Sequence, residues 1–107
     1  EALTNLGIWD KIQDKVSFGT NVTEVLNQVA ASSADAGIVY ATDAYSMADQ
    51  VKIVAEAPEG SLKNKVLYPV AVVKNTEHET QARAFVEFLK TDEAMAVFEK
   101  YGFSRAN

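Results

Sequence analysis

Four short runs rich in β-branched or aromatic residues, separated by stretches with helical spacing, constrain this chain more than any other feature. They are residues 16–19, 36–40, 51–55 and 66–74. Strands that alternate with helices argue for an α/β architecture with mostly parallel pairing. Ala36-Gly37-Ile38-Val39-Tyr40 is apolar throughout and is bounded by Asp35 and by Thr42-Asp43, so it predicts a buried strand. Residues 51–55 alternate apolar positions with Lys52, a second strand pattern. Pro69 cannot donate to a ladder, so residues 66–74 suit an edge position, a bulge or a crossing segment better than a central strand. The apolar part of that run is too short to span a bilayer.

The helical stretches carry start and stop signals. Asn21 followed by Glu24 follows the spacing of a capping box, and Val22, Val25, Leu26 and Val29 repeat on one face, which predicts a helix over residues 22–32. A short helix is expected to begin at Thr42 or Asp43. Thr76 with Glu79 predicts a start for a helix whose face is Ala82, Phe85, Val86 and Leu89. Thr91 caps another, with Ala94, Met95, Phe98 and Tyr101 on one side and Gly102 ending it. Near the start, Leu3 and Leu6 lead to Gly7 as the last turns of a helix with no capping residue before it. The expectation is a chain that begins inside an element, that is, a fragment. Residues 10–15 read as a short helical turn after an inward-packed Trp9.

Composition then narrows the function classes. The chain has 107 residues, 48% of them hydrophobic and 23% charged, so a single compact unit burying roughly two-thirds of its unfolded surface is the default. Net charge is −5 and the basic residues are scattered, which leaves no electrostatic footprint for nucleic acid. The absence of cysteine excludes disulfides and thiol catalysis. The single His78 lies between Glu77 and Glu79, with no second histidine or spaced carboxylates to build a metal site. Gly19-Thr20-Asn21 lacks the further glycines and the lysine of a phosphate loop, and Ser17, Ser32 and Ser61 sit in no nucleophile elbow. No enzyme, no cofactor and no bound metal cation are expected.

Two weaker features point to a ligand. The turn Gly19-Thr20-Asn21-Val22 leads into a helix, where unpaired backbone N–H groups and the positive end of the helix dipole meet. Every helix has such an end, and an ordinary capped start accounts for it equally. Tyr40 stands at the C-terminal end of the expected 36–40 strand, the end at which open α/β sheets bind ligands. A half-buried tyrosine with its hydroxyl in water accounts for that too.

Ala34-Asp35-Ala36-Gly37-Ile38-Val39-Tyr40-Ala41-Thr42-Asp43-Ala44 and Leu67-Tyr68-Pro69-Val70-Ala71-Val72-Val73 closely resemble segments of the periplasmic molybdate-binding proteins of ABC transporters. The likeness extends to Leu6-Gly7-Ile8-Trp9-Asp10, Asn21-Val22, Phe85-Val86-Glu87-Phe88-Leu89 and Phe98-Glu99-Lys100-Tyr101-Gly102-Phe103, and so covers nearly the whole chain. It implies a periplasmic-binding-protein-like α/β fold. Residues 1–66 would be an incomplete second lobe, 67–75 the crossing strand between lobes, and 76–107 the C-terminal helices that return to the first lobe.

Proteins of that family close two lobes on a tetrahedral dianion, molybdate or tungstate, held by hydrogen bonds with no charged side chain in contact. Carried over, the resemblance makes the backbone N–H of Val22 and the hydroxyl of Tyr40 ligands to the oxyanion. The family's other ligands, two serines of the first lobe and an amide, have no counterpart in these residues, so this chain is expected to hold part of a site. The resemblance further implies a membrane permease as partner and a periplasmic or extracellular location, membrane-associated if lipidated. The alternative is the ligand-sensing domain of a transcription regulator with the same fold. Helix faces built on Phe85, Leu89 and Phe98 without their usual cover make self-association or element swapping a further expectation.

Overall fold

Asn21 begins the best-formed helix of the chain. In the computed structural model, which describes residues 1–106, the Asn21 side chain accepts the N–H of Glu24 at 2.8 Å and caps a helix over Val22–Ala30. This helix is α3; before it come α1 (Ala2–Asn5) and α2 (Trp9–Ile12), the latter running into a 3-10 turn over Gln13–Lys15. After it come α4 (Ala41–Ser46), α5 (Glu79–Phe88) and α6 (Asp92–Lys100). The chain divides into two units, Glu1–Lys65 and the residues from Val66 onward.

In the first unit Gly7 ends α1 at φ 69°, and Trp9 packs half-buried beside Phe18, ring centres 6.4 Å apart. The side chains of α1 and its cap residue hold the distant 58–63 loop. Asn5 donates to the Ser61 carbonyl at 2.8 Å, and the Lys63 N–H donates to Glu1 Oε1 at 2.6 Å. Ser61 is buried there, its hydroxyl donating to the Pro58 carbonyl at 2.7 Å. α3 packs against α4, and Leu26 of α3 and Ala44 of α4 are the buried apolar residues of this unit. α3 stops at Ala30, two residues earlier than its sequence pattern, because Ser32 turns into the left-handed region at φ 58° and the Ser33 N–H closes back on the Gln28 carbonyl at 2.8 Å.

Among the described residues the expected strands are absent. Residues 16–19, 36–40, 51–58 and 65–73 carry no regular secondary structure, and among the described residues no ladder of backbone hydrogen bonds joins any two of the first three, which share a unit. Ile38, expected in a buried strand, is 69% exposed, and Val54 and Val73 are also open to solvent. A parallel strand is stabilised by a neighbour on each edge and a helix layer on each face. Among the described residues of the first unit, no backbone ladder pairs one of its three runs with another, so β-propensity there has no strand neighbour to act on. Among the described residues the helices are joined through irregular connections, without the strands of the α/β layering read from the pattern.

In the second unit α5 starts at Glu79, with His78 in the cap position making no side-chain cap bond. Thr76 was expected as the cap. Its hydroxyl instead accepts the His78 N–H at 3.2 Å, a bond two residues on that closes a turn after Asn75 at φ 64°. Thr91 does cap α6, accepting the Ala94 N–H at 3.3 Å. Arg105 ties the tail to the α5–α6 junction through the Lys90 carbonyl and Asp92 Oδ1, both at 3.1 Å. Ala94 is the buried apolar residue of this unit, while Phe103 meets Phe98 and Tyr68 edge to face at 6.0 and 5.3 Å. The sizeable core that chain length permits is not reached: Phe85, Phe88, Val97 and Tyr101 are all exposed.

Candidate functional site

Val22 is the first residue of α3, where no intrahelical acceptor exists for its N–H. Two acceptors work at this helix end, and neither takes that group. Asn21 Oδ1 takes the N–H of Glu24, and Glu24 Oε2 reaches back to the N–H and hydroxyl of Thr20 at 2.7 and 2.5 Å. A standard capping box would return the carboxylate to the cap residue itself; here it reaches one residue further. Those Thr20 bonds, the hydroxyl's first and then the amide's, hold the Glu24 carboxyl below the usual glutamate value.

Tyr40 occupies the cap position of α4 in extended conformation, φ −75° and ψ 148°, its carbonyl accepting the N–H groups of Asp43 and Ala44 at 3.1 and 3.2 Å. Its side chain is 45% exposed. What places it is the contact of Gly37 with α3. A Cβ on Gly37 would lie 2.8 Å from a Val29 methyl and 2.9 Å from a Val25 methyl, so only glycine lets this segment run so close to the helix. Gly19 approaches the same helix from the other flank, its Cβ position 2.7 Å from the second Val25 methyl. The two sequence-derived residues therefore sit at the starts of two packed helices, each led in by a segment that a glycine brings against Val25.

Asp43, in the first turn of α4, was not singled out by sequence. Its Oδ2 is buried and has no hydrogen-bond partner among the described residues. No pattern in the sequence marks it, since an acidic residue in a first helical turn is ordinary. A shallow open depression of ≈ 520 Å³ lies along the outer flank of α3, lined by Asn21, Thr23, Glu24, Asn27, Gln28, Ala31 and Ser33. It contains neither Val22 nor Tyr40, and the Glu24 carboxylate in its wall disfavours an anion there. Among the described residues no group of three or more His, Cys, Asp or Glu side chains could hold a metal ion, and no helix is long and apolar enough to cross a membrane.

Residues 1–104 match the family model of the bacterial extracellular solute-binding proteins. The chain belongs to that family. Among relatives of this solute-binding protein, YvgL of Bacillus subtilis, provisionally described as an ABC transporter substrate-binding lipoprotein, is 46% identical over 97% of the chain. The molybdate-binding proteins ModA of Haemophilus influenzae and of Escherichia coli are 43% and 42% identical over the same share. The chain spans 39%, 40% and 39% of these relatives' lengths, respectively. No solved structure matches it at comparable significance. The family is one of extracellular solute-binding proteins and not of enzymes.

Proposed function

We propose that this solute-binding chain supplies part of the capture site of an ABC importer for a tetrahedral oxyanion, molybdate or tungstate, through the N–H of Val22 and the hydroxyl of Tyr40. What supports the reading is that these two residues stand at the starts of the packed helices α3 and α4, in a chain 43% identical to a molybdate-binding protein. Oriented amide and hydroxyl dipoles replace the hydration shell of an anion without importing a countercharge. A protein of net charge −5 can then hold a dianion. In this reading residues 1–66 belong to one lobe, 67–75 cross between lobes and 76–107 return to the other, the remaining donors come from outside these residues, and the loaded protein docks on a membrane permease from the periplasmic or extracellular side.

The test is calorimetric titration with molybdate, tungstate and sulfate of a chimera in which this chain replaces the matching segment of the Haemophilus influenzae relative. Molybdate binding well above sulfate is expected. Tyr40→Phe should weaken it by roughly 0.5–1.5 kcal/mol, the net size of one hydrogen bond. A folded chimera that binds sulfate as well as molybdate, or binds neither, refutes the reading, and unchanged affinity in Tyr40→Phe removes Tyr40 from the site.

A further inference from the structure

A carboxylate stands at the helix end where the proposed ligand is an anion, and its hydrogen bonds give a reason for its presence. Glu24 Oε2 accepts both the N–H and the hydroxyl of Thr20, while Oε1 accepts from Gln28 Nε2 at 3.4 Å. The Glu24 N–H in turn holds the Asn21 side chain. Gly19, next in the turn, rests against Val25 one residue beyond Glu24. All three residues before Val22 are thus tied to the first turn and a half of α3. The Val22 N–H lies in the peptide plane it shares with the Asn21 carbonyl, and Asn21 is held extended at φ −158° and ψ 168°. Whatever fixes the 19–21 turn fixes the direction of that N–H.

We propose that Glu24 is a positioning residue for oxyanion capture, acting through Thr20 to hold the Asn21–Val22 peptide plane and so to aim the Val22 N–H. This role rests on the reading of Val22 as an oxyanion donor. It predicts an effect opposite in sign to simple electrostatics. A carboxylate that merely stood near the site would repel a dianion, and its removal would tighten binding. A carboxylate that positions the donor weakens binding when it is removed, despite the relief of like charge. Glutamine separates the two contributions, because it keeps an oxygen acceptor for Thr20 and carries no charge.

In the chimera, Glu24→Ala should weaken molybdate binding roughly fivefold or more, the loss of one to two net hydrogen bonds at the donor's support. Glu24→Gln should restore the unsubstituted affinity or exceed it. Equal or tighter binding by Glu24→Ala overturns the role, as does a Glu24→Gln variant no better than the alanine one. A second measurement needs no ligand: amide exchange in the 107-residue chain, where the Thr20 N–H should be protected, lose about tenfold of that protection in Glu24→Ala and keep it in Glu24→Gln. A Thr20 amide that exchanges freely in the unsubstituted chain defeats the positioning role alone. Failure of the unsubstituted chimera to bind molybdate defeats the functional reading, and this role with it.

Discussion

Val25 is approached by backbone from two sides, and the chain has glycine at both points. At Gly37 an added methyl would press on Val29 and Val25 at 2.8 and 2.9 Å, and both neighbours are short β-branched side chains whose rotamers a helix restricts. They cannot swing aside as a long side chain would. Gly37→Ala is therefore expected to cost about 1–3 kcal/mol in denaturant unfolding, and to displace Tyr40 along with the segment that carries it. Glu24 makes a different prediction. Its carboxyl is held below the usual 4.5 by Thr20, so the ionised form stabilises the fold above that value, and the contribution is lost as pH falls through the lowered one. Thermal scans on acidification from 4.5 should show a steeper fall in midpoint for the unsubstituted chain than for Glu24→Gln. Val22 was legible as a candidate from helix-end chemistry, whereas Tyr40 was marked by the end of an expected strand that is absent and stands instead at the start of α4. Gly37 as the spacer, and Glu24's reach to Thr20, needed coordinates, because both depend on atoms brought together by folding.

The helices were the most legible elements, since spacing and caps are local properties that travel with the sequence. α3 and α6 begin at the residues their caps mark, Asn21 and Thr91. The exceptions have local causes as well. Thr76 spends its oxygen on a turn, and α5 starts later; Ser32 takes the left-handed conformation, and α3 stops earlier. A β-carbon in that conformation costs roughly 1 kcal/mol that glycine avoids. Ser32→Gly should accordingly raise the unfolding free energy by an amount of that order, measured by urea titration; a loss of stability would show that the Ser32 side chain has a role beyond the turn. The strands were legible as patterns but are absent among the described residues, because a strand is completed by a neighbour and, in the first unit, none of its three runs supplies one to another.

Within each unit, much apolar surface lies open: Phe18, Ile38 and Val54 in the first, Leu67, Val70, Val73 and Phe85 in the second. Unpaired β-rich backbone beside such side chains is a template for association between chains. Light scattering of the isolated chain should show a mass that rises with concentration, and a constant monomer mass up to millimolar protein would refute this. Family membership was legible in the sequence because it is written in contiguous runs such as residues 34–44 and 67–73, which need no folding to be compared. The sequence also determined where the helices lie to within a few residues, since hydrogen bonds between residues two to four apart are set by neighbours in the chain. Only the tertiary structure decided that residues 36–40 form no strand and how closely that segment packs on α3. Both depend on contacts between residues far apart in sequence, and periodicity, which fixes the pattern of a strand, does not name its partner.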